Sequence, residues 1–312
     1  MTILFAEFLS QKLNRLNPIG GTRWSAFETL VAQYDQSPPD WVTGKGNNRK
    51  LRQLDKFEPA LTYYLFAALA EATNNLTNVE SLANLFSHAF AEDIALSAAQ
   101  QVAKYHVGSL RYEAFVAPNQ TLREEVKRRI DNCPVPYIRT LATGRKKVRF
   151  ESATRLDCFV GDPSALGKRA KRLPGEFALG IEAKFTSDID DKTTYSPHRN
   201  QIARIVEVGN QRANHFVFLL VAPRTYRLAS SRFFVYKMRE YQGGNGITAL
   251  RRDLLLPQTD ETLARWIQNM GWLDWEHIVE FLYPGGFPRT DWKSDHHKEL
   301  QEFLIQRRLW PR

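Results

Sequence analysis

Cysteine is scarce in this chain. Cys133 and Cys158 are the only two in 312 residues, and neither a CxxC pair nor a regular spacing links them. That argues against a disulfide framework and a cysteine-rich zinc site, and a reducing compartment is expected. The seven histidines, including the adjacent His296 and His297, show no HExxH or Cys/His spacing and read as ordinary surface or core imidazoles. A GxSxG nucleophile elbow is missing, as is any cysteine placed near a base. Segment 44–50 lacks the Gly-Lys-Ser/Thr ending of a phosphate loop, and Gly243-Gly244-Asn245-Gly246 fits no dinucleotide fingerprint and reads as a turn. The longest apolar run, near 215–222, is far too short to cross a bilayer. Thr2-Ile3-Leu4-Phe5-Ala6-Glu7 carries an early acid and no basic leader, so the expectation is a soluble, cytoplasmic protein with no membrane partner. No internal repeat is visible.

What is present describes a folded protein. Hydrophobic residues make up 43%, charged residues 25% and aromatics 12%, which excludes disorder of the whole chain. The length is about twice that of a usual single domain, so one domain with additions or two domains are expected. Lysine and arginine number 43 against 34 aspartates and glutamates, a net charge of +9. Such a balance favours a polyanionic partner, without separating DNA from RNA or anionic lipid.

Hydrophobic periodicity divides the chain. Residues 1–55 look like a looped extension, with Gly20-Gly21, Pro38-Pro39 and the basic stretch 44–50. Leu61, Leu65, Phe66 and Leu69 predict a helix, and Thr77 with Glu80 a capping box opening a second one through Ile94. A charged helix is predicted over 122–130 and ends at Pro134 and Pro136. Strand-like alternation follows at 147–151 and 155–160, a predicted hairpin, and a longer strand at 177–185. Ser196 and Pro197 predict a helix start, with Ile202, Ile205 and Val206 as its apolar side and an end near Gly209. The run 215–221 reads as a fully buried strand. From about 241 onward helices dominate, over 260–270 and 275–282, with five of the seven tryptophans from Trp266 onward at core-like spacing.

Glu182-Ala183-Lys184 is the most informative triplet. In a strand, residues i and i+2 share a face, so Glu182 and Lys184 stand together while Ala183 points away. A carboxylate and an amine among Leu179, Ile181 and Phe185 are costly to bury without a partner or a task. A surface cross-strand ion pair is the competing reading, and that apolar company opposes it. Asp157 is a lone acid in the preceding strand, Leu156-Asp157-Cys158-Phe159. If the two strands pair, Asp157 and Glu182 can converge on one cation. Two carboxylates suit Mg²⁺, which prefers oxygen ligands and retains waters, and a neighbouring ammonium suits phosphodiester hydrolysis.

With Asp157, Glu182-Ala183-Lys184, the apolar strand behind them and the segment 194–201 leading into the next helix, the sequence resembles the PD-(D/E)XK nuclease superfamily, in its restriction-endonuclease-like prokaryotic branch. The likeness covers roughly residues 145–222 and departs in one place, Leu156 standing where a proline often precedes the aspartate. It implies an α/β fold with an αβββαβ core at 76–238, flanked by an N-terminal helical and looped extension (1–75) and a C-terminal helical region (239–312). It further implies an endonuclease with Mg²⁺ as cofactor and Mn²⁺ as substitute, acting on DNA or, alternatively, RNA, in restriction or anti-phage defence. Homodimerisation or an activating partner protein is also implied. Asp157 and Glu182 become the metal ligands, and Lys184, Gln201 and an acid on an earlier helix, here Glu92, complete the catalytic set. Lys168, Arg169, Lys171 and Arg172 in the loop between the two strands, with Arg199 and Arg204, are the expected nucleic-acid contacts. The competing expectation is a non-catalytic nucleic-acid-binding or assembly module on the same fold.

Overall fold

Apolar continuity builds the centre. In a computed structural model, which describes residues 62, 65–66, 69–70, 72–73, 76–105, 110–133, 153–167, 173–185, 187–190, 196, 198–228, 231–282 and 284, strand β3 (Gly175–Ala183) is buried at every position but Glu176. Strand β4 (Ala213–Ala222) is buried from Phe216 to its end. The two run parallel, Gly175 beside Ala213 and Ala183 beside Val221, as strands covered on both faces do. On one side β2 (Thr154–Gly161) pairs antiparallel with β3, and β1 (Arg111–Val116) pairs antiparallel with β2. On the other side β5 (Met270–Asp274) runs parallel to β4. The spatial order β1-β2-β3-β4-β5 thus repeats the chain order.

Helices cover both faces of this mixed sheet. One core joins Cys158, Leu179, Ile181, Ala183 and Leu219 to α1 (Val79–Phe86), α2 (Glu92–Lys104) and α9 (Trp275–Leu282). The other joins Ala178, Phe216, Phe218, Leu220 and Trp272 to α3 (Gln120–Asp131), α4 (Gln201–Arg212), α6 (Phe233–Gln242), α7 (Gly246–Asp253) and α8 (Asp260–Gln268). A short helix, α5 (Arg224–Leu228), follows β4. The molecule is therefore of the α/β class.

Several boundaries differ from the sequence expectation, each for a local reason. Helix α1 is capped by Asn78, whose side chain accepts from Ser81 N at 3.0 Å, and it stops at Phe86 before α2 begins. Helix α4 opens at Gln201, not at the Ser196-Pro197 pair. Asn200 is its cap, accepting from Ala203 N at 3.1 Å, and tertiary bonds to Tyr241 and Asp253 hold that asparagine in place. The partner of β2 on its outer side is β1, which sequence periodicity misses; the segment 147–151, read as that partner, lies outside the described residues. Strand β5 falls inside the stretch read as helical. Trp266, Trp272 and Trp275 are buried, in keeping with their reading as core.

Candidate active site

Alternation along β3 sends Ile181 and Ala183 to the core beneath α1, α2 and α9, and Glu182 to the face that α4 covers. Helix α4 comes close because two small residues admit one ring: a Cβ on Gly180 would stand 2.8 Å from the Phe216 ring, and one on Gly209 only 2.4 Å from it. Packed this tightly, the first residue of α4 reaches the strand. Gln201 Nε2 donates to Glu182 Oε1 at 2.6 Å, and Lys184 Nζ donates to the same oxygen at 2.7 Å. Glu182 is only 2% exposed and Lys184 7%.

Asp157 joins from β2, one residue beyond the last ladder pair, Cys158 with Ile181. Its Oδ2 accepts the Ala183 amide at 2.9 Å, while the next amide, Lys184 N, donates to Val221 O of β4 at 2.8 Å. A side-chain carboxylate therefore stands where a strand carbonyl would continue the ladder, and the backbone fixes its orientation. Gln201 is fixed as well: its amide donates to Asp190 O at 2.9 Å and its Oε1 accepts from Asp190 N at 3.4 Å. Asp157, Glu182, Lys184 and Gln201, singled out from sequence, are thus assembled around the end of β3.

The exit of β3 is pinned from residues that sequence reasoning did not single out. Trp275 Nε1 donates to Lys184 O at 3.0 Å, and Tyr226 OH donates to Phe185 O at 2.7 Å. Both donors lie more than forty residues downstream, and nothing in their local pattern sets them apart from core aromatics. Behind the cap of α4, Asn200 Nδ2 donates to Tyr241 OH at 2.6 Å and Asp253 Oδ2 at 3.0 Å. Asp253 also receives Tyr241 OH, Lys237 and Arg252 at 2.6 to 2.8 Å. Burial pushes the Asp253 carboxyl up, but the hydrogen bonds from Arg252, Lys237 and Tyr241 outweigh it and hold it below the usual range. Burial and the facing carboxylate push the Tyr241 hydroxyl well up.

No family model, curated protein or solved structure matches the chain.

Two other residues expected at the site, Glu92 and Arg199, stand elsewhere. Glu92 is exposed in the first turn of α2, a helix packed on the opposite face of the sheet from Glu182. There its charge complements the positive end of the helix. Arg199 does not face a phosphate: it is fully buried and ion-paired to Glu207 of α4, which also accepts Leu255 N at 3.0 Å and Leu256 N at 2.8 Å. The pair ties the start of α4 to its own second turn and, through Glu207, to the segment after α7. Arg204 is half-buried on α4. Lys168, Arg169, Lys171 and Arg172 lie outside the described residues, as does Pro197.

Among the described residues, no group of three or more histidines, cysteines, aspartates or glutamates is placed to hold a metal ion. A cation at the end of β3 would have the two carboxylates of Asp157 and Glu182, with water completing its shell. That donor set, all oxygen and short of a full cage, fits Mg²⁺, which keeps several waters and binds through one or two carboxylates plus substrate phosphate.

Proposed function

We propose that the chain is a Mg²⁺-dependent endonuclease that hydrolyses phosphodiester bonds in DNA, built on a restriction-endonuclease-like core of the PD-(D/E)XK kind and serving in restriction or anti-phage defence. The observation that carries this reading is the buried Glu182–Lys184 pair, held by the half-buried Gln201, with Asp157 on the adjoining strand. A buried ion pair is poor value as a source of stability, since desolvating both charges offsets most of their attraction. Four polar side chains gathered at one strand end are better explained by chemistry.

Each residue has a role in that chemistry. Asp157, oriented by the Ala183 amide, and Glu182, oriented by Gln201 and Lys184, would hold the ion. When bound, Mg²⁺ supplies Lewis-acid polarisation of the phosphate and a more acidic water. The Lys184 ammonium, held beside Glu182, orients the attacking water and offsets negative charge developing on the phosphate oxygens. Gln201 keeps the Glu182 carboxylate from rotating. The net charge of +9 adds a long-range attraction for the polyanion.

The test is plasmid cleavage by purified protein with Mg²⁺ or Mn²⁺. Glu182→Ala and Lys184→Ala are each expected to lower the rate by about 100-fold or more, with Lys184→Ala still shifting DNA in a gel. Titration calorimetry with Mn²⁺ is expected to give heat with the parent chain and none with an Asp157→Ala/Glu182→Ala double variant. Equal nicking by parent and variants would reject the assignment.

A further inference from the structure

Helices α5 and α6 flank the end of β3. Tyr226 of α5 holds Phe185 O, one residue past Lys184, and the Asp188 carboxylate accepts the amides of Phe233 and Phe234 at 2.7 and 3.1 Å, tying the start of α6 to the same connection. One side of α6, with Phe234, Val235, Met238 and Tyr241, is buried. The other carries Arg232, Tyr236 and Arg239 at i, i+4 and i+7, a single stripe along the helix. Tyr236 is 58% exposed and Arg239 is exposed, with Arg232 half-buried at the cap. The Tyr236 ring stacks on Phe233, centroids 6.2 Å apart at 28°, and the Arg232 guanidinium lies 5.5 Å from the Tyr226 ring centre. Glu240, one turn beyond Tyr236, is bracketed by Lys237 at 2.8 Å and Arg252 at 3.0 Å, so its charge is locally matched. The stripe is cationic and aromatic, and its helix is tied at its start to the connection that leaves β3.

We infer that this stripe binds single-stranded nucleic acid, with an unpaired base stacked on the exposed face of Tyr236 and the adjoining backbone phosphates held by Arg232 and Arg239. An open aromatic ring backed by a second ring is a stacking platform that any base can use. Arginines on either side supply the phosphate contacts that fix the strand's path. Duplex DNA offers such a surface only its phosphates, because its bases are already stacked on each other. Single strands are therefore the preferred form. This assignment rests on the phosphodiesterase reading only for what happens to the strand after it is bound.

The test separates the two. Anisotropy of a fluorescein-labelled oligothymidine, and of a duplex of equal length, is followed with the full-length Glu182→Gln chain in EDTA, where no cleavage occurs. Tighter binding of the single strand is expected, weakened about tenfold or more by Tyr236→Ala and restored by Tyr236→Phe. Duplex binding is expected to change less than about twofold with Tyr236→Ala, because only phosphate contacts serve it. Arg239→Ala is expected to flatten the dependence on salt, lowering the slope by about 0.7. Tyr236 is a surface side chain, and a melting curve matching the parent checks that the variant is folded. Unchanged single-strand affinity in Tyr236→Ala, a preference for duplex, or no binding of either would overturn the inference. Plasmid cleavage, measured separately, reports on the catalytic reading: its loss with single-strand binding intact removes that reading and leaves this one standing.

Discussion

Glu207 is the residue on which much of the buried polarity converges. It faces Arg199 with no solvent on either side and accepts two backbone amides from the segment after α7. Burial pushes its carboxyl up, and the Arg199 guanidinium pulls the other way. Removing it leaves a buried arginine and two amides without their acceptor, so Glu207→Ala is expected to lower stability by about 3–5 kcal/mol in urea unfolding. An Arg199→Met/Glu207→Gln double change is expected to cost less than the two single changes summed, because it leaves no lone charge. A loss under about 1 kcal/mol for Glu207→Ala would refute the pairing. The contrast with Glu182 and Lys184 shows what a sequence exposes at this scale. Charges two apart inside an apolar strand announce themselves through the period of two. Arg199, in the polar run His198-Arg199-Asn200-Gln201, resembles a solvated residue, and only the fold brings Glu207 over it.

At the scale of elements, α4 is the part on which the site depends. Its glycine and its cap each give a signed expectation. Gly→Ala inside a helix ordinarily helps by up to about 1 kcal/mol. At Gly209 the added Cβ would meet the buried Phe216 ring at 2.4 Å, so Gly209→Ala is expected to destabilise by about 1–3 kcal/mol, and a rise in melting temperature would contradict that. Asn200→Ala removes a helix cap, itself about 1 kcal/mol, together with bonds to Tyr241 and Asp253. Its expected cost in urea unfolding therefore exceeds that of Tyr241→Phe. The strands β3 and β4 and the helix between them are legible because continuous apolar runs and a helical stripe are strong signals. β1 is not, since Arg111-Tyr112-Glu113-Ala114-Phe115-Val116 mixes polar and apolar residues as an edge strand does. β5 has only five residues, one of them glycine, beside helical segments of similar composition. Its identity is set by the β4 edge that it joins.

For the molecule as a whole, titration of buried groups sets the response to acid. Burial lowers the His277 imidazole, and His88, stacked on it at 4.1 Å, adds to this, with Asp274, Arg224 and Glu280 also facing it. Burial and then Arg265 lower His215. For both, the unfolded chain holds the proton more tightly. Their contribution is complete above about pH 6.5 and is lost as the pH falls through the lowered folded value. Glu207 and Glu276, raised chiefly by burial, act oppositely, contributing fully below the ordinary glutamate range and less as the pH rises through their folded values. The urea midpoint of the parent relative to a His277→Asn variant is accordingly expected to fall between about pH 7.5 and about pH 5.5. A difference that stays constant would show that His277 is not the acid-sensitive group. None of the described helices is long and apolar enough to cross a membrane.

The matching of spatial and chain order in the sheet has a consequence for how the protein is made. A nascent chain can lengthen the sheet one strand at a time, each newcomer docking on the edge its predecessor has just presented, with no strand inserted between two earlier ones. Asp157, Glu182, Lys184 and Gln201 are all synthesised before Tyr226 and Trp275. At about 5–20 residues per second, the carboxylates and the amine wait several seconds for the two donors that clamp the carbonyls beneath them. The Asp157, Glu182, Lys184 and Gln201 group is therefore laid down first and locked later, by residues that follow it in the chain.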